Sequence, residues 1–307
     1  MSSDRLRVSL GWVAVGISVL MMCLWAFWGT AEAFHEGWYY RSLWANLRLT
    51  LVQYLRPSLL LLFPALLAVR WPRLALPVFL TLAMAAALYY RRGAGVMLIA
   101  LPLTLLGALF QFGRPEPRRW AARILLILPT VTAVCTGIVP GYRAVTRWDD
   151  GNYGARLVQG NGVRLIWAPV GPGWGERHLS WDQAAKTCEH LSADGRVLGS
   201  TPIGIWRLPT VDEAVRSMVR RGRNAGGTWD WARRRAEYRK LPEKESPLWR
   251  RYSQVIYWWT GTEDGRGGAY RITYNGYVDS FDKRGWGDYW TFRCVCSPER
   301  FEGKPGN

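Results

Sequence analysis

The chain has 307 residues, enough for two domains, and carries 40 Lys and Arg against 23 Asp and Glu. The charge is unevenly placed: residues 1–142 hold 13 Arg, no Lys and four acids (Asp4, Glu32, Glu36 and Glu116), and residues 143–307 hold the other 27 bases and 19 acids. With the longest apolar runs all in the first part, this excludes a uniformly water-soluble globule and predicts a membrane domain followed by a soluble one.

Residues 8–29 are apolar for the ~20 residues a spanning helix needs, and Arg5 and Arg7 precede them. Ala31-Glu32-Ala33 looks like a small-residue cleavage site, but the apolar core is too long for a signal peptide, so an uncleaved anchor is expected. Further spans are expected at 49–69, 73–90, 94–112 and 121–141. Arg56 and Pro57 sit inside the second. Either that arginine snorkels to the interface, or a shorter helix follows an amphipathic segment carrying Arg41, Arg48 and Arg56 on one stripe. Five spans with the N-terminus inside place Arg5, Arg7, Arg70, Arg73, Arg114, Arg118, Arg119 and Arg123 in the cytoplasm, as the positive-inside rule requires. Arg41, Arg48, Arg91 and Arg92 then fall outside, as does everything after residue 142. No Asp, Glu, Lys or His lies deep in a span, where a transport path would need one, so this part is expected to anchor. The lipid bilayer is thus one partner.

Residues 143–160 read as a polar linker ending in the turn Gly160-Asn161-Gly162. A strand follows at 163–168. Ser180 and Gln183 form a capping box for a helix whose inner face is Trp181, Ala184, Ala185, Cys188 and Leu191, ended by Gly195. Ile205-Trp206-Arg207-Leu208-Pro209-Thr210 reads as a short strand running into a second capped helix. Thr210 and Glu213 make its capping box, so it begins at Val211. It buries Ala214, Val215, Met218 and Val219 and stops at Gly222. Arg207 lies between two apolar neighbours and is expected to tie together backbone carbonyls.

Residues 216–240 carry nine basic side chains against Asp230 and Glu237, with tryptophans interleaved. Arg220, Arg221, Arg223, Trp229, Trp231, Arg233, Arg234 and Arg235 are the candidate ligand-binding residues, because cations with aromatics can grip a polyanion or lipid head groups. A solvated insertion is the plainer reading of such a run. Nucleic acid is excluded as a partner for a domain beyond the membrane. Residues 255–260 read as a buried strand, Asn275-Gly276 as a hairpin turn, and 289–296 as a strand with Trp290, Phe292, Cys294 and Cys296 on one face.

Cys23 and Cys135 fall in spans. Cys188 and either Cys294 or Cys296 are the remaining pair, and outside the cytoplasm they are expected to form a disulfide closing a loop of about 100 residues, worth roughly 4 kcal/mol. No metal or cofactor is expected: the soluble part has only His178 and His190, and its cysteine spacing matches no zinc site. No nucleophile elbow is present, so no catalytic residue is assigned.

Several of these pieces in order carry a resemblance. They are Asn161-Gly162 with Leu165-Ile166-Trp167; Trp181, Ala184, Cys188 and Leu191; Trp206-Arg207-Leu208-Pro209-Thr210 with Glu213; Tyr257-Trp258-Trp259-Thr260; Tyr270; Gly276; and Phe292-Arg293-Cys294-Val295. Residues 161–296 resemble the Lcl C-terminal-like domain family, in the formylglycine-generating enzyme and sulfatase-modifying-factor group on a C-type-lectin-like fold. The resemblance implies an α+β domain over 161–298, with a tail at 299–307, whose ends lie close together and whose Cys188 bonds to Cys294. Cys296 stands where the family usually has a basic residue and is the alternative partner.

The oxidase branch of that group uses a copper-binding cysteine pair with four residues between, whereas Cys294-Val295-Cys296 has one. The expected function is a non-catalytic, extracytoplasmic binding module anchored in a bacterial inner membrane, recognising an envelope glycan, a polyanion or a protein partner. The alternative is a metal-dependent oxidase using Cys294 and Cys296.

Overall fold

The computed structural model describes residues 3–90, 94–284 and 290–303. Arg91, Arg92 and Tyr289 lie outside the described residues. The chain divides into two compact units, residues 1–37 with 42–141, and residues 38–41 with 142–307.

The first unit is helical: α1 (Ser3–Glu36), α2 (Leu43–Leu49), α3 (Arg56–Arg70), α4 (Ala75–Tyr90), α5 (Ala94–Phe112) and α6 (Arg118–Val145), with a π-helical turn at Thr50–Tyr54. Three of these helices are long and apolar enough to cross a membrane: α1, α4 with the turn before it, and α6. The pair 43–54 and 56–70 makes a fourth candidate, bent by 68°. Five spans are therefore not clearly formed. The bend falls at Leu55, beside Arg56 and Pro57, because proline lacks the N–H that would carry an α-helix through. Small residues bring helices together. A Cβ on Gly107 would meet the Phe79 Cβ at 2.8 Å, and the Phe79 and Phe110 rings stack at 6.0 Å across the α4–α5 contact. Outward, large apolar side chains such as Leu20, Leu24, Leu88, Leu101 and Ile138 are exposed. That is the surface a lipid-facing bundle presents.

The second unit is α+β. Strands β1 (Arg156–Gly160), β2 (Val163–Trp167) and β11 (Val295–Cys296) form one sheet in the order β1-β2-β11. Helices α7 (Trp181–Glu189) and α8 (Val211–Ser217) follow in sequence. Next come the short hairpins β3 (Val219–Arg220) with β4 (Arg223–Asn224) and β5 (Gly227–Asp230) with β6 (Arg235–Tyr238). A second sheet, ordered β10-β7-β8-β9, contains β7 (Tyr257–Glu263), β8 (Gly268–Thr273), β9 (Val278–Asp282) and β10 (Trp290–Thr291). Because β11 pairs with β2, the ends of the unit meet in one sheet.

Two apolar clusters fill it. In one, Trp249 and Trp258 stack face to face at 3.7 Å, and Trp167 and Trp174 close on Trp258 at 5.5 and 6.5 Å. The other gathers Trp206, Trp259, Trp290, Phe292, Cys188, Cys294 and Cys296. The alternation expected over 289–296 holds where it is described: Val295 faces the first cluster and its even-numbered neighbours the second.

Several expectations need correction. Residues 143–160 are not a linker: α6 continues to Val145, Arg147 is buried against Glu243 at 3.0 Å, and residues 156–160 are strand β1. Asn161-Gly162, both at positive φ, is the turn of the β1–β2 hairpin, the geometry that matches strand twist. Helix α7 stops at Glu189, ahead of Gly195. Helix α8 stops at Ser217, because Met218 takes an extended ψ of 147° and its N–H closes on Val215. Gly222 serves in a hairpin turn instead. The Asn275-Gly276 loop has three residues and only Gly276 at positive φ, so it is a type I turn with a glycine bulge. Residues 299–303 are no free tail, since Phe301 packs edge-on against Trp206 at 5.6 Å.

Candidate functional site: a basic cavity beside the β3–β4 turn

Arg143, Arg220, Arg221, Arg223, Lys240 and Leu241 line a cavity of about 670 Å³, a size that holds small ligands or head groups. The turn that builds it is tight. Arg221 and Gly222 both take positive φ, 51° and 69°, and a side chain at Gly222 would press on the Trp148 ring at 3.3 Å. Beneath the turn, Glu245 is fully buried; it accepts from the Arg220 Nη1 at 2.8 Å and from the Arg221 backbone N–H. Burial pushes the Glu245 carboxyl up from its ordinary value, opposed by the Arg221 N–H and the Arg220 charge. Lys240 is positioned by its N–H to Ala225 at 3.1 Å. Arg143 comes from the last turn of α6.

The charge balance of the cavity is one-sided. Glu245 answers Arg220. Among the described residues, no carboxylate lies within ion-pair distance of Arg143, Arg221, Arg223 or Lys240. Four unanswered cations around one space repel each other, and an anion entering it relieves that repulsion while gaining charge-assisted hydrogen bonds.

Of the ligand-binding residues expected from sequence, Arg220, Arg221 and Arg223 line this cavity and the rest do not. Trp229 is a core residue, buried edge-on against Tyr270 at 5.4 Å. Trp231 is exposed and lies edge-on to Trp229 at 6.0 Å. Arg233, Arg234 and Arg235 stand exposed at the β5–β6 turn. Sequence reasoning missed Arg143, assigned to a linker, and Lys240, Leu241 and Glu245. Nothing in the pattern around Glu245 marks it as a buried partner for residues 24 and 25 positions away.

The motif around Trp206 is structural. Both capping boxes form as read, at Ser180 with Gln183 and at Thr210 with Glu213. Residue 207 pairs with 295 through two backbone hydrogen bonds of 3.0 and 2.8 Å, a single bridge in place of a strand. Trp206 and Leu208 thereby point into the core, and Pro209 is buried with them. Arg207 departs from expectation. Its side chain is 50% exposed and grips Glu213 with two bonds of 2.6 Å. Arg293 ties the carbonyls instead. It is fully buried, donates to Ala168, Pro247 and Leu248 at 2.6–2.8 Å, and lies 3.5 Å over the Trp174 ring.

Cys188 is bonded to Cys294, leaving Cys296 as a buried free thiol. Burial pushes that thiol up to about 12, so it is a poor nucleophile. The Cys294 and Cys296 pair required by an oxidase is thus divided. Among the described residues, no cluster of three or more His, Cys, Asp and Glu could hold a metal ion. No protein-family model, curated protein or solved structure matches this chain.

Proposed function

We propose that the chain is a membrane-anchored binding module whose soluble unit takes an anionic ligand in the cavity at the β3–β4 turn. Among the partners expected from sequence, an envelope glycan, a polyanion or a protein, those that carry negative charge share that chemistry. The observation that carries the reading is the set of four cations converging on one space without a carboxylate partner among the described residues. Two further observations support the C-type-lectin-like assignment and the extracytoplasmic side. Strand β11 closes beside β2, and the disulfide links α7 to the last segment of the unit, a bond that persists in oxidising compartments.

The full-length protein in neutral detergent should retain heparin and inorganic polyphosphate at moderate salt and release them as salt rises. Failure to retain any anionic probe at low salt would remove the reading. Sidedness is checked separately. In intact cells, Cys188 should resist alkylation until a reductant is added.

A further inference from the structure

The anionic-ligand reading leaves open where the anion comes from, and the helix that supplies Arg143 bears on this. Arg143 sits in the last turn of α6, a helix long and apolar enough to cross a membrane. Ile138, Val139 and Tyr142, the residues just before it, are exposed at 61, 60 and 58%. A tyrosine and then an arginine at the end of an apolar, outward-facing helix is the order found where hydrocarbon gives way to head groups. The one uncharged residue lining the cavity, Leu241, is also exposed, at 56%. A freely soluble polyanion has no use for that contact, whereas a lipid presents a phosphate with apolar atoms directly behind it. The cations are mostly arginine, whose planar fork matches a phosphate oxygen pair.

We infer that the cavity seats the phosphodiester head group of an anionic phospholipid, with Arg143, Arg221, Arg223 and Lys240 around the phosphate and Leu241 against the first atoms of the lipid's apolar part. This rests on the proposed anion-binding role. It narrows that role from any anion to a lipid phosphate, and it makes Arg221 and Arg223 recognition residues held in place by Glu245 beneath them. The charged insertion then acts locally, as part of how the protein is seated in its own bilayer.

The test uses the full chain in neutral detergent, with bound lipid counted by native mass spectrometry during titration with phosphatidylglycerol, phosphatidylcholine or water-soluble glycerol phosphate. Phosphatidylglycerol should bind saturably, and phosphatidylcholine and glycerol phosphate at least about tenfold more weakly. Arg221→Glu with Arg223→Glu should weaken phosphatidylglycerol about tenfold or more, the loss expected for one or two charge-assisted bonds. Arg233→Glu with Arg235→Glu makes the same change in net charge at the other hairpin and should leave binding unaltered. Equal losses in the two double variants would mean diffuse attraction and overturn the inference. Retention of polyphosphate without preference for phosphatidylglycerol would overturn the lipid source while leaving the anion-binding role intact. If no probe binds, both fall. Should the glutamate variant fold poorly by its ligand-free melting curve, Arg221→Gln with Arg223→Gln replaces it, with the same expected order of affinities.

Discussion

The seam where β11 closes the α+β unit and the cavity beside the β3–β4 turn are both built on arginine, and they use it in opposite ways. At the seam two arginines are engaged by the fold itself. Arg293 donates to three carbonyls beneath a tryptophan ring, and Arg207 is locked to Glu213. At the cavity only Arg220 has a carboxylate, and that carboxylate also holds the turn on which Arg221 stands. Arg207 is spent on a carboxylate and Arg293 on carbonyls and a ring, whereas among the described residues Arg143, Arg221, Arg223 and Lys240 meet no carboxylate, the arrangement on which the proposed anion binding rests. Composition does not separate the two, because both regions are rich in arginine.

Substitutions on the seam should cost stability, and substitutions at the cavity should cost binding. The largest effect is expected from Cys188→Ala with Cys294→Ala, which opens a closure of 106 residues and should lower stability by about 4–5 kcal/mol in the chain-entropy model. It is read as a fall in the melting temperature of the α+β unit. Next is Arg293→Met. It leaves buried acceptors at Ala168, Pro247 and Leu248 without a donor and should cost about 3 kcal/mol by denaturant titration. A loss under about 0.5 kcal/mol would show that the seam does not depend on its buried cation. The double change Arg221→Glu with Arg223→Glu should alter ligand-free stability by no more than about 0.5 kcal/mol, as exposed turn positions do, while heparin or polyphosphate binding weakens about tenfold or more. A comparable loss of stability would break the comparison from the cavity side.

The smallest effect concerns pH at the seam. Burial alone would raise the Glu213 carboxyl, but the Arg207 guanidinium and the Thr210 N–H outweigh it and hold the group below its ordinary 4.5. Its folded value is therefore the lower one. The stability it contributes is present above 4.5 and is lost as pH falls through the depressed value. Glu213→Gln can keep the capping bond, as Gln183 does at α7, but loses the charge pair with the half-exposed Arg207, so it should flatten that acid limb and cost about 0.5 kcal/mol at neutral pH. Melting curves of the two proteins at neutral and acid pH measure the difference.

How much of this was visible beforehand follows from the range of the interactions. Both capping boxes were legible because each is set by a hydroxyl and a side chain three residues apart. The alternation through Trp290, Phe292, Cys294 and Cys296 was legible because a strand has period two. The span expected at 94–112 is a helix, α5, with the same ends, since an apolar run bounded by arginines or glycine has little alternative, but it is not among the candidate spans of the described residues. The ends of α7 and α8 were misplaced, because Gly195 and Gly222 signal a turn without saying which kind. Strand β1 was missed although Asn161-Gly162 lies between it and β2. The polar Arg156 and Gln159 suggested a linker, yet Arg156 is buried with its charge met by Asp150 at 2.8 Å.

The sequence by itself determined the division into an apolar helical part and a more polar α+β part, the two helix starts, and the short list of cysteines that could pair. These depend on hydropathy and spacing within a few residues. The resemblance implied that Cys188 takes Cys294, and the structure forms that bond; only the tertiary structure decided that Arg293 and not Arg207 is the buried cation, and that Arg143, Arg220, Arg221, Arg223 and Lys240 surround one space while 233–235 do not. Each depends on which distant carboxylate, carbonyl or ring arrives beside a side chain. Among the described residues, a buried Glu245 holds the β3–β4 turn and pairs with Arg220, and a carboxylate 24 and 25 positions away could not be read from the charge run itself.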